Sequence, residues 1–195
     1  SPVLQAFHKR ILDYCDETLK EAPVERIKTG KRLLEVSRIT LKRVFYLSYA
    51  YRMTGEKKYF QRAEKEMLTA ATFIDWNPSH FLDVSEMSMG LAIGYDWLFD
   101  ELSVGSRKKI RQAIVEKAIE ASKTKDASFY KSKTNWNQVC NGGLVCSALA
   151  IYENEPERAK NIIDKALQTV PLALESYAPD GGYPEGFGYW TYGTT

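Results

Sequence analysis

Residues 46–70, YLSYAYRMTGEKKYFQRAEKEMLTA, read as two helices joined by a short polar turn. An aromatic-rich segment, Tyr46 to Tyr51, runs into Gly55-Glu56-Lys57-Lys58, and an amphipathic segment follows with Ala63, Met67 and Ala70 at helical spacing. The same grammar recurs twice. Gly105-Ser106-Arg107-Lys108, which begins 50 positions after Gly55, separates Tyr95 to Phe99 from Ile110, Ile114 and Ala118. Asn154-Glu155-Pro156-Glu157, which begins 49 positions after Gly105, separates Leu149 to Tyr152 from Ile162, Ala166 and Val170. A helical hairpin of about 50 residues is therefore the repeating unit, the signature of a solenoid or a closed ring of helix pairs.

Outward from this stretch, apolar residues recur at helical spacing nearly everywhere and strand-like alternation is almost absent. The periodicity predicts helices over 3–21, 31–54, 57–75, 83–100, 104–123, 137–153 and 156–177. Of the 195 residues, 44% are hydrophobic and 27% charged, which excludes disorder, and a net charge of +2 gives no electrostatic footprint for a nucleic acid. No apolar run is long enough for a membrane helix. Ser1-Pro2-Val3 has neither a charged nor an apolar leader region, and the lack of a starting Met is expected of a processed product. Cys15, Cys140 and Cys146 are odd in number and lack metal-site spacing, so buried thiols are expected.

The connections within hairpins are short and charged, whereas those between hairpins carry the unusual residues. These are Trp76, Asn77, His80 and Phe81; then Phe129, Tyr130, Asn135, Trp136 and Asn137; then Asp180 to Tyr183, Glu185, Tyr189 and Trp190. Alternate connections of a hairpin array lie at the same end, so the three clusters are expected to converge on one face. The last segment, from Tyr177, begins a fourth repeat and stops within it, which is expected of an incomplete ring or a piece of a longer protein.

Two clusters stand out chemically. Asn135-Trp136-Asn137-Gln138-Val139-Cys140-Asn141-Gly142-Gly143 places amides at the start of a predicted helix, where free N–H groups favour an anionic oxygen. The competing reading makes Asn135 or Asn137 a helix cap and the two glycines a site of close packing. The second cluster, Asp180-Gly181-Gly182-Tyr183-Pro184-Glu185-Gly186-Phe187-Gly188-Tyr189-Trp190-Thr191-Tyr192, combines a turn, an acid and tyrosines able to transfer protons or stack on sugars. Singly weaker are His80, as a base or substrate contact, Glu86, for which a helix-cap role competes, and Arg38, on a helix that also carries Lys42 and Arg43.

With these two loops, and with Thr54-Gly55-Glu56-Lys57-Lys58-Tyr59 and Gly94-Tyr95-Asp96-Trp97-Leu98, the chain resembles the heparinase II/III-like polysaccharide lyases. The resemblance implies an incomplete (α/α) toroid, here residues 1–195 as one all-α domain cut inside its fourth hairpin, without the C-terminal β-sandwich of that family. It implies β-elimination at a uronate: a side chain neutralises the carboxylate, a base takes the proton of the adjacent carbon, and an acid protonates the leaving oxygen. By the same resemblance Asn135, with Asn137 second, is the neutraliser, and Tyr189, 54 positions beyond Asn135, transfers the proton, with Tyr192 the alternative one turn on. Trp136, Asn141, Glu185, Tyr192, Trp190, His80, Glu86 and Arg38 are the implied substrate contacts. The residue after Asn135 is Trp136, where many relatives carry His, so the second proton-transfer group is sought at His80 or in the C-terminal portion.

The implied partner is an acidic polysaccharide or oligosaccharide, and the implied location is periplasmic or secreted. The resemblance implies no cofactor within this chain and leaves room for a metal site in the C-terminal domain. Two other readings compete. A glycoside hydrolase would pair Glu86 with Asp180 or Glu185, and a helical-repeat binding protein would not bring Asn135 and Tyr189 together.

Overall fold

The computed structural model of the protein describes residues 1–124 and 127–194, and among these all regular structure is helical. The helices are α1 (Pro2–Thr18), α2 (Leu34–Thr54), α3 (Lys57–Thr72), α4 (Phe81–Trp97), α5 (Val104–Ile114), α6 (Asn135–Ala150), α7 (Pro156–Leu174) and α8 (Phe187–Thr194). A π-helical turn, Val115–Ile119, prolongs α5. Local chemistry sets several ends. Gly55 closes α2 in the left-handed conformation, φ 72°, donating to the carbonyl of Tyr51 at 2.7 Å. The Ser103 hydroxyl caps α5 by accepting the N–H of Ser106 at 3.0 Å, and Pro156 opens α7 at a position that needs no donor.

The helices form two layers. Helices α2, α4, α6 and α8 pack side by side in succession as the inner layer, and α3, α5 and α7 lie behind them, each returning from an inner partner. This is the all-α array of helical hairpins that the periodicity indicates. The expected boundaries shift by two or three residues at most ends, and most at the end of α5, which stops at Ile114 before the π-helical turn instead of running to 123; α6 also moves. That helix begins at Asn135, not 137, because the hydroxyl of Thr134 accepts from the N–H of Trp136. Neither Asn135 nor Asn137 is the cap. Helix α8 is an addition: the expectation there was a loop opening a fourth repeat.

Helix α4 is the centre of the packing, buried from Phe81 to Tyr95 at all but Met89 and Ile93. A helix covered on every side carries no polar stripe, which is why its sequence shows little amphipathicity. Close contact depends on small residues at its crossings. A Cβ on Gly90 would lie 2.8 Å from the Cα of Leu41 on α2, and one on Gly143 of α6 would lie 2.2 Å from the Ser85 hydroxyl and 2.5 Å from its carbonyl oxygen. Ser85 in turn donates to the carbonyl of Val139 at 2.6 Å. Trp76, Phe81, Phe129 and Tyr95 are fully buried around these crossings, so several aromatics of the long connections serve the core and not the binding face.

A buried ionic cluster anchors the connection between α1 and α2. Glu66, fully buried, accepts from Arg62 (2.6 Å), Arg43 (3.0 Å) and the backbone N–H of Val24 (3.2 Å). Arg62 also donates to the carbonyls of Thr18, Glu21 and Ala22, and Arg43 reaches the Glu21 carboxylate and the Ala22 carbonyl. Arg43 is thus a structural cation, and Lys42 lies over the ring of Tyr14 at 4.2 Å, so neither joins Arg38 at the candidate site.

Hydrogen bonds define the two ends of the array. At one, the hairpin tips meet through Lys57 to Glu101 (2.9 Å), the Arg52 guanidinium to the Trp97 carbonyl (3.1 Å) and Tyr95 to Asn154 (3.4 Å). At the other, the long connections meet through Lys28 to Asn77 (3.0 Å), Ser176 to the Lys133 carbonyl (2.7 Å), and the Asn135 N–H to the Tyr183 hydroxyl (2.8 Å). Adjacent glycines offer a test of the packing. Gly143→Ala is expected to lose about 1–3 kcal/mol to overpacking, lowering Tm by roughly 2–4 °C per kcal/mol in thermal melts. Gly142→Ala, where a Cβ meets open space, is expected to leave Tm unchanged or raise it, since Ala is the better helix former.

Candidate functional site

The inner helices α2, α4, α6 and α8 all begin at the end where the long connections meet. Their free N–H groups and dipoles therefore bring partial positive charge to one region. There an open cleft of about 540 Å³ lies between the start of α2, the starts of α4 and α6, and α8. Its walls include Arg32, Arg38, His80, Asn135, Trp136, Glu185, Tyr189 and Tyr192. Asn135 and Tyr189, from connections far apart in the chain, share this space.

Asn135 is 3% exposed, yet its side-chain amide has no hydrogen-bond partner among the described residues. Only its backbone is engaged, through the N–H donated to Tyr183. Its amide atoms are not among the buried polar atoms left without a partner, so they meet solvent in the cleft and are free to bond a ligand's oxygen. Tyr189 is half exposed on α8 and lines the cleft with Glu185, which is exposed.

The α3–α4 connection builds the best-ordered polar group. Asn77 adopts the left-handed conformation (φ 61°), which Asn tolerates, and its amide donates to the Lys31 carbonyl at 2.9 Å and to Asp83 at 2.6 Å. Asp83, fully buried in the first turn of α4, also accepts the Leu33 N–H at 2.6 Å and meets Nδ1 of His80 at 2.5 Å. A carboxylate only accepts, so Nδ1 carries the hydrogen and Nε2 of the neutral ring is the unprotonated nitrogen. The His80 ring stands edge-to-face against Trp136, centroids 4.9 Å apart.

Beside this lies a second polar group. The Glu86 carboxylate, 7% exposed, receives Arg38 through Nε (3.0 Å) and Nη2 (3.2 Å), and the Tyr192 hydroxyl at 2.5 Å. The Arg38 guanidinium also lies 5.2 Å from the centre of the Tyr192 ring. Burial, together with the carboxylate it donates to, pushes the Tyr192 phenol above its ordinary value. With its hydroxyl bonded to the buried Glu86 carboxylate, Tyr192 tethers α8 to α4, and Tyr189 is the tyrosine left open to the cleft. Glu86 is neither a cap nor an open substrate contact; it is the anchor by which α8 and Arg38 are held to α4.

Three further expectations are corrected. Asn137 is fully buried and faces away from the cleft, its amide donating to the carbonyls of Ser132 (3.0 Å) and Thr169 (2.9 Å) while its oxygen accepts from Asn141 (2.9 Å). Asn141, also buried, donates again to the Asn137 carbonyl (2.9 Å) and to the Thr169 hydroxyl (3.3 Å). These two asparagines tie α6 to α7 and reach no ligand space. Trp190 turns to the Gly181 carbonyl (2.9 Å) and stacks on Phe187 at 5.8 Å, outside the cleft walls. Of the carboxylates considered for a hydrolytic pair, Glu86 is consumed as described, Asp180 accepts the Gly182 N–H within its own turn at 3.0 Å, and only Glu185 lines the cleft.

Asp83 and Arg32 were not singled out from the sequence. Asp83 had a readable signal, a His and an acid three positions apart at a helix start, the spacing of a capping box. Arg32 had none, because only the folded α1–α2 connection brings it to the cleft. Cys140, whose thiol burial pushes well up, and Cys15, pushed up to about 12 by burial, are inert core residues. Among the described residues no group of three or more His, Cys, Asp or Glu side chains is placed to hold a metal ion, and no helix is long and apolar enough to cross a membrane. No family model matches the chain, and no curated protein matches it.

The two asparagines separate by stability. Asn137→Ala is expected to destabilise by about 1–3 kcal/mol, because it removes the amide that the Ser132 and Thr169 carbonyls accept from and one of the acceptors of Asn141. Asn135→Ala is expected to stay within about 0.5 kcal/mol of wild type. Urea unfolding of the two variants side by side checks both.

Proposed function

We propose that the cleft is the substrate site of a polysaccharide lyase that cleaves a uronate-containing glycan by β-elimination. The observation that carries this reading is the Asn135 amide: on a residue otherwise buried, without a protein partner, and walling the same cleft as Tyr189. A uronate carboxylate raises the acidity of its neighbouring carbon only when its charge is satisfied, because the intermediate puts further negative charge on that group. An amide donor at a helix N-terminus supplies this without titrating. The converging N-termini of the inner helices and the cation Arg32 favour an anionic ligand over a neutral one, Arg38 being paired with Glu86. Trp136 offers an aromatic wall for a sugar face.

In this mechanism the glycan lies with its carboxylate toward Asn135 while the C5–H and C4–O4 bonds are cleaved. The electron pair of the C–H bond becomes the C4=C5 double bond, and the pair of the C–O bond leaves on the oxygen with a proton. Tyr189 is one of the two proton-transfer groups. A hydrolytic reading lacks support, since its carboxylates do not assemble around the cleft. The acidic poly- or oligosaccharide substrate and the periplasmic or extracellular setting belong to this proposal.

Incubation of the full-length protein with a panel of acidic polysaccharides tests it. The ultraviolet band of an unsaturated uronate is expected to grow in wild type, and Tyr189→Phe and Asn135→Ala are expected to lower kcat by about 10²–10⁴-fold. New reducing ends without that band would establish hydrolysis instead. Binding without any new chain ends would make the cleft a recognition site only.

A further inference from the structure

We infer that the chain associates with a second copy of itself, the exposed side of α1 in one copy lying in an apolar groove on the inner layer of the other. This goes beyond the activity proposed above and does not depend on it. Two features that neither the core nor the cleft uses carry the inference. The first is a ridge. Val3, Leu4 and Phe7 of α1 share one helix face and are each more than half exposed, while Leu12 and Cys15, further along, pack against the core. Large apolar side chains gathered in this way mark a surface that another molecule covers. The second is a groove. Met89 and Ile93, where α4 is open, join Leu41 and Phe45 of α2 and Val139 and Gly142 of α6 around a space of about 560 Å³. At Ile93 it continues into a recess of about 220 Å³ whose walls include Asp96, Trp97 and Leu149. Among the described residues the larger space has one charged side chain on its wall, Glu86, already paired with Arg38. The groove therefore suits an apolar occupant and not an acidic glycan.

Charge and spacing decide which occupant. On α1, Val3, Phe7 and Arg10 follow at intervals of four and three residues, and on α4, Met89, Ile93 and Asp96 do the same. Both intervals keep side chains on one face of a helix. Helices laid parallel rise equally, so Val3 of one copy meets Met89 of the other, Phe7 meets Ile93, and Arg10 reaches Asp96. Arg10 and Asp96 are both exposed, and neither side chain has a hydrogen bond or ion pair among the described residues, whereas Lys9 beside Arg10 is bound to Asp13 at 2.7 Å. An amphipathic helix seated in an apolar groove is a recurring mode of recognition, and this chain carries both halves of it. Because ridge and groove lie on different elements, the contact is heterologous: it closes if two copies exchange ridges and otherwise adds further copies.

Sedimentation velocity of the full-length protein over a dilution series tests this. Wild type is expected to pass reversibly from monomer to dimer or larger species as concentration rises. Phe7→Asp removes the ridge, and Gly142→Trp fills the groove from a position where a Cβ meets open space; each is expected to raise the dissociation constant at least about tenfold. Both positions are exposed, so both variants are expected to melt with wild type. Arg10→Asp and Asp96→Arg are each expected to weaken association about threefold or more, and the double variant to restore it. A wild type that stays monomeric at every concentration overturns the inference and leaves the groove to another segment or another protein. So does an assembly indifferent to Phe7→Asp and Gly142→Trp, whose copies would meet elsewhere. Single charge variants without effect, or a double variant that rescues nothing, overturn the docking of α1 along α4. If Gly142→Trp does not fold, Phe7→Asp and the charge exchange decide.

Discussion

Helix α4 is enclosed by its neighbours, and enclosure of a helix requires that backbones approach where side chains would otherwise hold them apart. Gly90 lets α2 come up to Leu41, Gly94 admits Val44 and Met67, and Gly143 brings α6 onto Ser85. With the crossings this close, the polar atoms of α4 cannot be left to water and are satisfied by its neighbours. Ser85 bonds the Val139 carbonyl, and the carbonyl of Asp83 accepts from Ser37 at 2.8 Å. The first turn of α4 is thereby held between α2 and α6, and whatever it carries is held as firmly as the core.

That rigidity fixes the candidate site. Asp83 reaches the α1–α2 connection through Leu33 and the α3–α4 connection through Asn77, so one carboxylate joins two loops and a helix. Glu86, one turn further along, binds Arg38 of α2 and Tyr192 of α8. The two acids spaced by three residues on one helix thus place four other elements around a shared space. The polar groups of the cleft are set by rigid helices on a preformed scaffold, and the long connections provide the walls.

The fold was legible because hairpins of nearly constant length leave a period, and because short charged turns and long aromatic connections differ visibly in composition. Thr134 was missed as the α6 cap because the richer run of asparagines beside it drew the assignment. The same run shows the limit of reading a site from a sequence. Asn135, Asn137 and Asn141 are one residue type within seven positions, yet one opens on the cleft and two bond α7. Which face each occupies depends on where α7 lies, and no local pattern encodes that. Tyr189 and Tyr192 present the same difficulty, since only the buried Glu86, supplied by α4, makes one a tether and leaves the other accessible. Trp76, Phe81 and Phe129 looked like binding aromatics and went to the core, as large apolar rings do when a hairpin junction offers them shelter.

The separation of the two ends of the array sets where the molecule can be handled. Helix α4 has 17 residues, and at about 1.5 Å per residue it spans roughly 25 Å. The tips at Gly55, Glu101 and Asn154 therefore stand a full helix length from the cleft, joined to it only through rigid rods. They are the natural points of attachment for a fluorophore, a surface linker or an inserted peptide. A molecule fixed by those tips would present its polar mouth outward, with every inner helix aimed at the solution.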